Sequence, residues 1–213
     1  MSEDQQFAAE AAAALKQRVS SLDDNGLDLL FREARSLRAW TDAPVSDELL
    51  HQLHDVFIMA PTANNAQPVR VLYVKSDEAK KRLIPCLNEG NVEKTMTAPA
   101  TAIIGHDLAF HETFDELSGR EGGGARFADN AAAAETFAFR NGSLQGGYFM
   151  LAVRALGLDV GPMSGFNNEA LDKEFFAGTE IKSNFLCNIG YGDPSGMRPR
   201  GRRFAFNEIS EIL

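Results

Sequence analysis

The sequence predicts an α+β or mixed α/β fold, and three observations carry that expectation. Apolar residues recur at helical spacing through the first sixty positions. Short β-rich runs appear at 69–74, 100–105 and 185–192. Between the second and third runs lies a long alanine-rich segment, 131–156, with the periodicity of a single helix.

Taken in order, about Gln5 to Val19 reads as an alanine-rich helix that packs on something else. It makes residues 1–22 an N-terminal helical arm of a single domain, 1–213. A second helix, about Gly26 to Leu37, carries Leu27, Leu30, Phe31 and Ala34 on one face. Pro44 breaks the chain, and Ser46 is an N-cap with Asp47 and Glu48 in the favourable first turn. Leu49, Leu50, Leu53, Val56, Phe57 and Ala60 then form an apolar stripe. Val69–Val74 is the first strand, Glu78–Cys86 a short helix, and Ala100–Gly105 a largely buried strand.

From His106 to Asn130 the pattern weakens, and Gly119 with Gly122–Gly124 indicates a mobile excursion. These glycines are read as a flexible loop, because no strand leads into them and no GK[S/T] follows. The 131–156 helix is apolar on more than one side and contains Gly142, Gly146 and Gly147. Each glycine costs a helix about 1 kcal/mol, which calls for a compensating close approach, here expected from another helix at a subunit interface. Gly157 serves as C′ residue with Leu158 as its hydrophobic contact. A short helix around Asn168–Phe176 and a last core strand, Phe185–Gly192, complete the order, with no internal repeat.

The net charge of −9 over 213 residues argues against nucleic acid or an anionic membrane as partner. Cys86 and Cys187 lie far apart and read as reduced, buried thiols. The N-terminus lacks the pattern of a signal peptide, and no apolar run approaches the roughly 20 residues of a membrane helix. A cytoplasmic location is expected. His51 and His54 share a helix face without a third ligand, so no metal site is expected. Gly161-Pro162-Met163-Ser164-Gly165 puts its serine one place late for a nucleophile elbow. Gly190-Tyr191-Gly192 follows a strand but runs into Asp193-Pro194, which excludes a dinucleotide-binding turn.

The segment Ala60-Pro61-Thr62-Ala63-Asn64-Asn65-Ala66-Gln67-Pro68 is a rigid turn of small residues and amides, suited to laying a flat polar ring against backbone. Arg35-Ser36-Leu37-Arg38 offers two cations and a hydroxyl at a helix end, and Arg198 to Arg203 adds further arginines. Planar guanidinium forks suit a doubly charged phosphate. In an acidic chain these three stretches together point to a phosphate-bearing aromatic cofactor, with FMN the best candidate.

R-S-x-R before an aromatic, A-P-S/T-x-x-N-x-Q-P, a late strand ending in G-Y and an arginine-rich tail is a layout that resembles the FMN-dependent nitroreductase family over nearly the whole chain after Leu22. Arg140-Asn141, Arg154–Asp159, Gly161–Phe166, Lys182–Asn184 and Asn188–Asp193 are similar to one branch, the malonic semialdehyde reductases of pyrimidine breakdown. The resemblance implies a three-layer sandwich, with a central mixed sheet flanked by helices, in an intertwined homodimer with two flavins at the interface. Arg35, Ser36 and Arg38 would hold the FMN phosphate and ribityl chain, assisted by Arg200 and Arg203. Asn65 would bond the polar edge of the ring, and Pro61 and Thr62 would reach the flavin of the partner subunit. Pro162, Met163, Ser164 and Gly165 would pass close to one ring face near N5. Val69 stands where many relatives carry tryptophan, so one pocket wall is smaller; Thr62 in place of serine keeps the hydroxyl.

The implied activity is hydride transfer from NADPH or NADH to a second substrate by a ping-pong route, with no catalytic side chain. For this branch the acceptor is malonic semialdehyde and the product 3-hydroxypropionate, with Arg126 and Arg140 as candidates for its carboxylate. A broad nitroaromatic or quinone reductase is the alternative, and a flavin-binding protein without turnover a third reading.

Overall fold

The computed structural model describes residues 2–213, which form two compact units, 2–34 and 35–213. The first holds α1 (Glu3–Arg18), α2 (Asp24–Leu27) and a π-helical turn, Asp28–Arg32. Ser2 and Gln5 form a capping box at the start of α1, which has no buried residue. Arg32 pairs with Asp24 and Asp28 at 2.8 and 2.6 Å and pins the π turn.

The second unit contains α3 (Asp47–Phe57), β1 (Val69–Val74), α4 (Asp77–Leu83), α5 (Glu89–Met96) and β2 (Ala100–Asp107). Two short helices follow, α6 (Phe114–Ser118) and α7 (Ala125–Ala128), then α8 (Ala131–Ala155). β3 (Asp159–Met163), α9 (Asn168–Phe175), β4 (Ile181–Gly190) and α10 (Phe206–Ile209) complete it. The strands lie in the order β1-β2-β4-β3 and pair antiparallel throughout. The parallel component expected of a mixed sheet is a single bridge, Ser36 to Val160.

Alternation along β2 and β4 feeds two apolar layers. Ala102, Ile104, Cys187 and Ile189 face α3 and α8, where Leu53, Phe149 and Val153 are fully buried. Ile103 and Leu186 face Leu83, Phe166 and Leu171 on the other side. The result is a sandwich of three layers. No helix among the described residues is long and apolar enough to cross a membrane.

Several local expectations are corrected. The helix expected over Gly26–Leu37 ends at Arg32, and Ser36 is extended because it bridges to β3. The 106–130 excursion is not a loose loop. It contains helical turns whose Phe110, Phe114 and Phe127 are buried, with Phe110 stacked on Phe137 at 5.1 Å. β3 and α5 were not anticipated, since Asp-Val-Gly-Pro-Met and Glu-Gly-Asn-Val-Glu-Lys-Thr-Met carry too short or too mixed a pattern. In α8, Gly142 and Gly146 admit His106 of β2 and Phe185 of β4 and so bring the helix onto the sheet, whereas Gly147 faces open space. Within one chain Phe139, Leu144 and Tyr148 of this helix are each more than 40% exposed. Gly157 does close α8, at φ +78° with Leu158 N–H bonded to Val153 O at 3.1 Å.

Candidate functional site

The segment from Arg35 to Trp40 runs as an extra edge beside β3. Leu37 N–H donates to Val160 O at 2.9 Å and Asp193 N–H to Ala39 O at 2.9 Å. Leu37 is buried, and its carbonyl lies where a side chain at Gly161 would stand: a Cβ there would be 2.7 Å from Leu37 O. Only glycine permits this approach. Trp40 plugs inward, its indole N–H donating to Lys94 O at 3.0 Å, and the fully buried Asn188 donates to the same carbonyl at 2.9 Å. Lys94 is therefore held by its backbone from two sides.

Arg38 and Lys94 line a cavity of about 320 Å³ with Trp40, Gly90 and Glu93. Burial pushes the Lys94 ammonium below its ordinary pKa, and the charges of Arg38 and Arg198 push it further. Like charges gathered in a partly dry recess repel one another unless an anion joins them. Arg35 lies one bridge residue earlier, partly buried, and Ser36 is exposed. Of the predicted arginines in the tail, Arg200 lies within electrostatic range of Arg154. Arg203 donates to Gly201 O and Arg202 O of its own backbone. Lys94, in electrostatic range of Arg38 and Arg198, was not singled out by the sequence. Arg198 opens an arginine-rich run already noted, whereas Lys94 sits on a helix with no sequence signal.

The end of β3 supplies a second surface. Met163 is buried, with Thr95 Oγ1 3.7 Å from its sulfur, and Pro162 is half-buried. Beyond it, Gly165 O accepts from Asn88 N–H at 3.0 Å and Asn91 Nδ2 at 2.7 Å. A Cβ on Gly165 would meet Asn91 Nδ2 at 2.7 Å. With that carbonyl clamped below, the exposed Ser164 and the Gly165 N–H have no backbone partner for their own donors among the described residues.

The third element is the 60–68 turn. Asn64, Asn65 and Gln67 have φ of 54°, 55° and 43°, left-handed values that cost a non-glycine residue about 1 kcal/mol or more each. Asparagine tolerates this region best. Gln67 N–H donates to Thr62 Oγ1 at 3.2 Å, and Asn65 Nδ2 donates to Leu117 O at 2.8 Å. Pro61 and Asn65 are exposed, whereas Val69 is buried in the core. Within one chain the turn packs on α8 and α6. No backbone–backbone hydrogen bond among the described residues joins it to 35–38 or 163–165.

The two further arginines lie elsewhere. Arg126 stacks over Phe127 and Phe114 at 4.7 and 5.7 Å. Arg140 lines an open cavity of about 780 Å³ with His106, Glu135, Phe139, Asp172 and Lys182. His51 and His54 are exposed on α3, and no group of three metal-ligating side chains occurs among the described residues. Burial pushes the Cys187 thiol up to about 12 and raises that of Cys86 as well, which leaves both unreactive.

Residues 31–191 match the model of the Nitroreductase family. A Burkholderia lata protein provisionally named NADH dehydrogenase/NAD(P)H nitroreductase is 55% identical over 91% of this chain and 100% of its own. A Stenotrophomonas maltophilia protein of the same provisional name is 52% identical over 90% of this chain and 98% of its own. The structure of a nitroreductase-type protein from Exiguobacterium sibiricum in complex with FMN superposes with a TM-score of 0.76, at 21% identity, over 91% of this chain and 98% of that one.

Proposed function

We propose, from the premise that this chain belongs to the Nitroreductase family, that it is an FMN-dependent NAD(P)H oxidoreductase acting as a single catalytic domain with an N-terminal arm. The observation that carries the reading is the recess lined by Arg38 and Lys94, with Arg198 in electrostatic range of Lys94, tied by the extended 35–40 segment to β3 at Val160. A dianionic phosphate fits this donor set, and the open backbone donors at Ser164 and Gly165 fit an acceptor on a flat ring. When bound, FMN supplies the redox chemistry, taking hydride from NADPH or NADH and passing it to the acceptor.

The chain's own residues bind and orient. Arg35, Ser36 and Arg38, with Lys94 and Arg198, would hold the phosphate end, and Arg200 and Arg203 lie on the same tail. Pro162, Met163, Ser164 and Gly165 would present backbone to the ring. Asn65 keeps a spare hydrogen and lone pair on its amide beyond its present bonds, enough to reach a ring edge. With Pro61 and Thr62 it would serve the site of a partner subunit, which accords with the lack of any backbone–backbone hydrogen bond from this turn to the other two elements among the described residues. A homodimer would cover Phe139, Leu144 and Tyr148 on α8 and the exposed Phe204, Phe206 and Ile209 of the tail. Cytoplasmic action fits the supply of NAD(P)H and the two free thiols.

For the acceptor we carry forward malonic semialdehyde, reduced to 3-hydroxypropionate, with Arg140 or Arg126 meeting its carboxylate. The provisional names of the relatives favour the second reading, a nitroaromatic or quinone reductase. The test is an anaerobic spectrum of the purified protein. A flavin band bleached by NADPH and restored by malonic semialdehyde supports the first reading, and restoration only by a nitroaromatic or quinone supports the second. No flavin, even after incubation with FMN, overturns both.

Lys94 gives the site a pH signature. Its ammonium, already lowered by burial and by two neighbouring cations, holds its charge below the depressed pKa and loses it above. A bound phosphate dianion favours the charged form. FMN affinity is therefore expected to be highest between the second phosphate pKa, about 6, and the lowered lysine pKa, then to fall at alkaline pH. In Lys94→Arg the alkaline fall should vanish. An unchanged profile by fluorescence titration would remove Lys94 from the phosphate site.

A further inference from the structure

Two amide side chains, one helical turn apart on α8, grip the two ends of the left-handed turn. Asn141 and Gln145 are 4% and 0% exposed. Asn141 Oδ1 accepts from Ala63 N–H at 2.8 Å, and Gln145 Oε1 accepts from Val69 N–H at 3.1 Å. Asn141 Nδ2 donates to Phe137 O at 2.9 Å, which fixes which end of that amide faces the turn. Gln145 Nε2 is buried without a partner, so the residue is present for its oxygen. Between the two gripped N–H groups lie all three non-glycine residues of positive φ among the described residues, Asn64, Asn65 and Gln67.

We infer that Asn141 and Gln145 are positioning residues that strap the 62–69 turn to α8 and so hold Asn65 at the angle needed to meet the flavin edge. The inference rests on the proposed role of this turn in FMN binding. Other bonds hold the turn less firmly: Thr62 Oγ1 to Gln67 N–H and Asn65 Oδ1 to Gln67 Nε2 move together if either end lifts, and the bonds from Asn65 to Leu117 O and from Arg120 to Asn64 are exposed to solvent. Without the straps the left-handed residues relax toward ordinary backbone, which swings Asn65 away from its place. Neutral amides suit the task, because a carboxylate there would be buried without a cation. Neither side chain touches the reacting atoms; both act through the turn.

The test compares Asn141→Leu and Gln145→Met, which remove the acceptor at similar volume, with Gln145→Glu, which keeps an acceptor. Residue-resolved hydrogen exchange on the apoprotein should show faster exchange at Ala63 in Asn141→Leu and at Val69 in Gln145→Met. Each of these variants should bind FMN about tenfold more weakly, the equivalent of one lost hydrogen bond, with a shifted flavin absorption band. Gln145→Glu at mildly acidic pH should recover most of the affinity. Wild-type FMN affinity and an unshifted band in both apolar variants would overturn the inference. If Asn141→Leu does not fold, the Gln145 pair decides alone. If the wild-type protein binds no FMN, the proposed function fails, while the exchange rates still decide whether the straps exist.

Discussion

Arg38→Ala is expected to weaken FMN binding about 10- to 100-fold, the cost of roughly 1.5–3 kcal/mol for one charge-assisted bond to phosphate. Arg38 is exposed and shares its recess with Lys94, whose ammonium its charge opposes, so the apoprotein should not lose stability and gains slightly from reduced repulsion. That opposite pair of signs separates a ligand contact from a structural one. Arg38→Lys should recover part of the affinity, since the ammonium keeps the charge but not the fork. Fluorescence titration with FMN, beside a thermal melt of the apoprotein, reads both quantities. Equal affinity in wild type and Arg38→Ala would place the phosphate elsewhere.

The second large effect belongs to Gly161→Ala. One methyl group would stand 2.7 Å from Leu37 O and 3.1 Å from the Trp40 ring. The first neighbour is backbone and cannot yield by a rotamer change, so the 35–40 segment must lift from β3. Overpacking of this kind costs about 1–3 kcal/mol. The greater loss is functional, because the lifted segment carries Arg35, Ser36 and Arg38. Here the melting temperature and the FMN affinity should fall together, in contrast to Arg38→Ala. A fully stable Gly161→Ala protein with normal FMN binding would show that the segment tolerates displacement.

Much of the architecture could be read from pattern alone. The Leu50-Leu53-Phe57 stripe, the β-rich run at 69–74 and the long 131–155 helix carry their own periodicity, and each folds as its residues dictate. The arginine pair at 35–38 and the amide turn were visible as chemistry. What pattern could not supply was the environment. Residues 35–37 continue a helical pattern in sequence, yet the segment 36–41 is drawn into extended backbone by long-range partners at Val160, Tyr191 and Asp193. Lys94 looks like any surface lysine until Trp40 and Asn188 fasten its carbonyl. The phenylalanines of 110–127 seemed scattered, because their common partner Phe137 lies on α8. Tertiary contacts overrode local propensity at each of these places.

The recess at Arg38 draws on residues near 38, 94, 161, 188 and 198, most of the length of the chain. No early fragment emerging during synthesis contains it, and closing loops of that length comes late in folding. On the proposed site, the phosphate end of FMN is held only once the second unit is complete. Free cofactor at about a hundred times its dissociation constant would then add roughly 2.7 kcal/mol to that unit's stability. Chains starved of flavin should be the ones that unfold and are degraded first, so cellular flavin supply would set how much of this protein survives as well as how much of it is active.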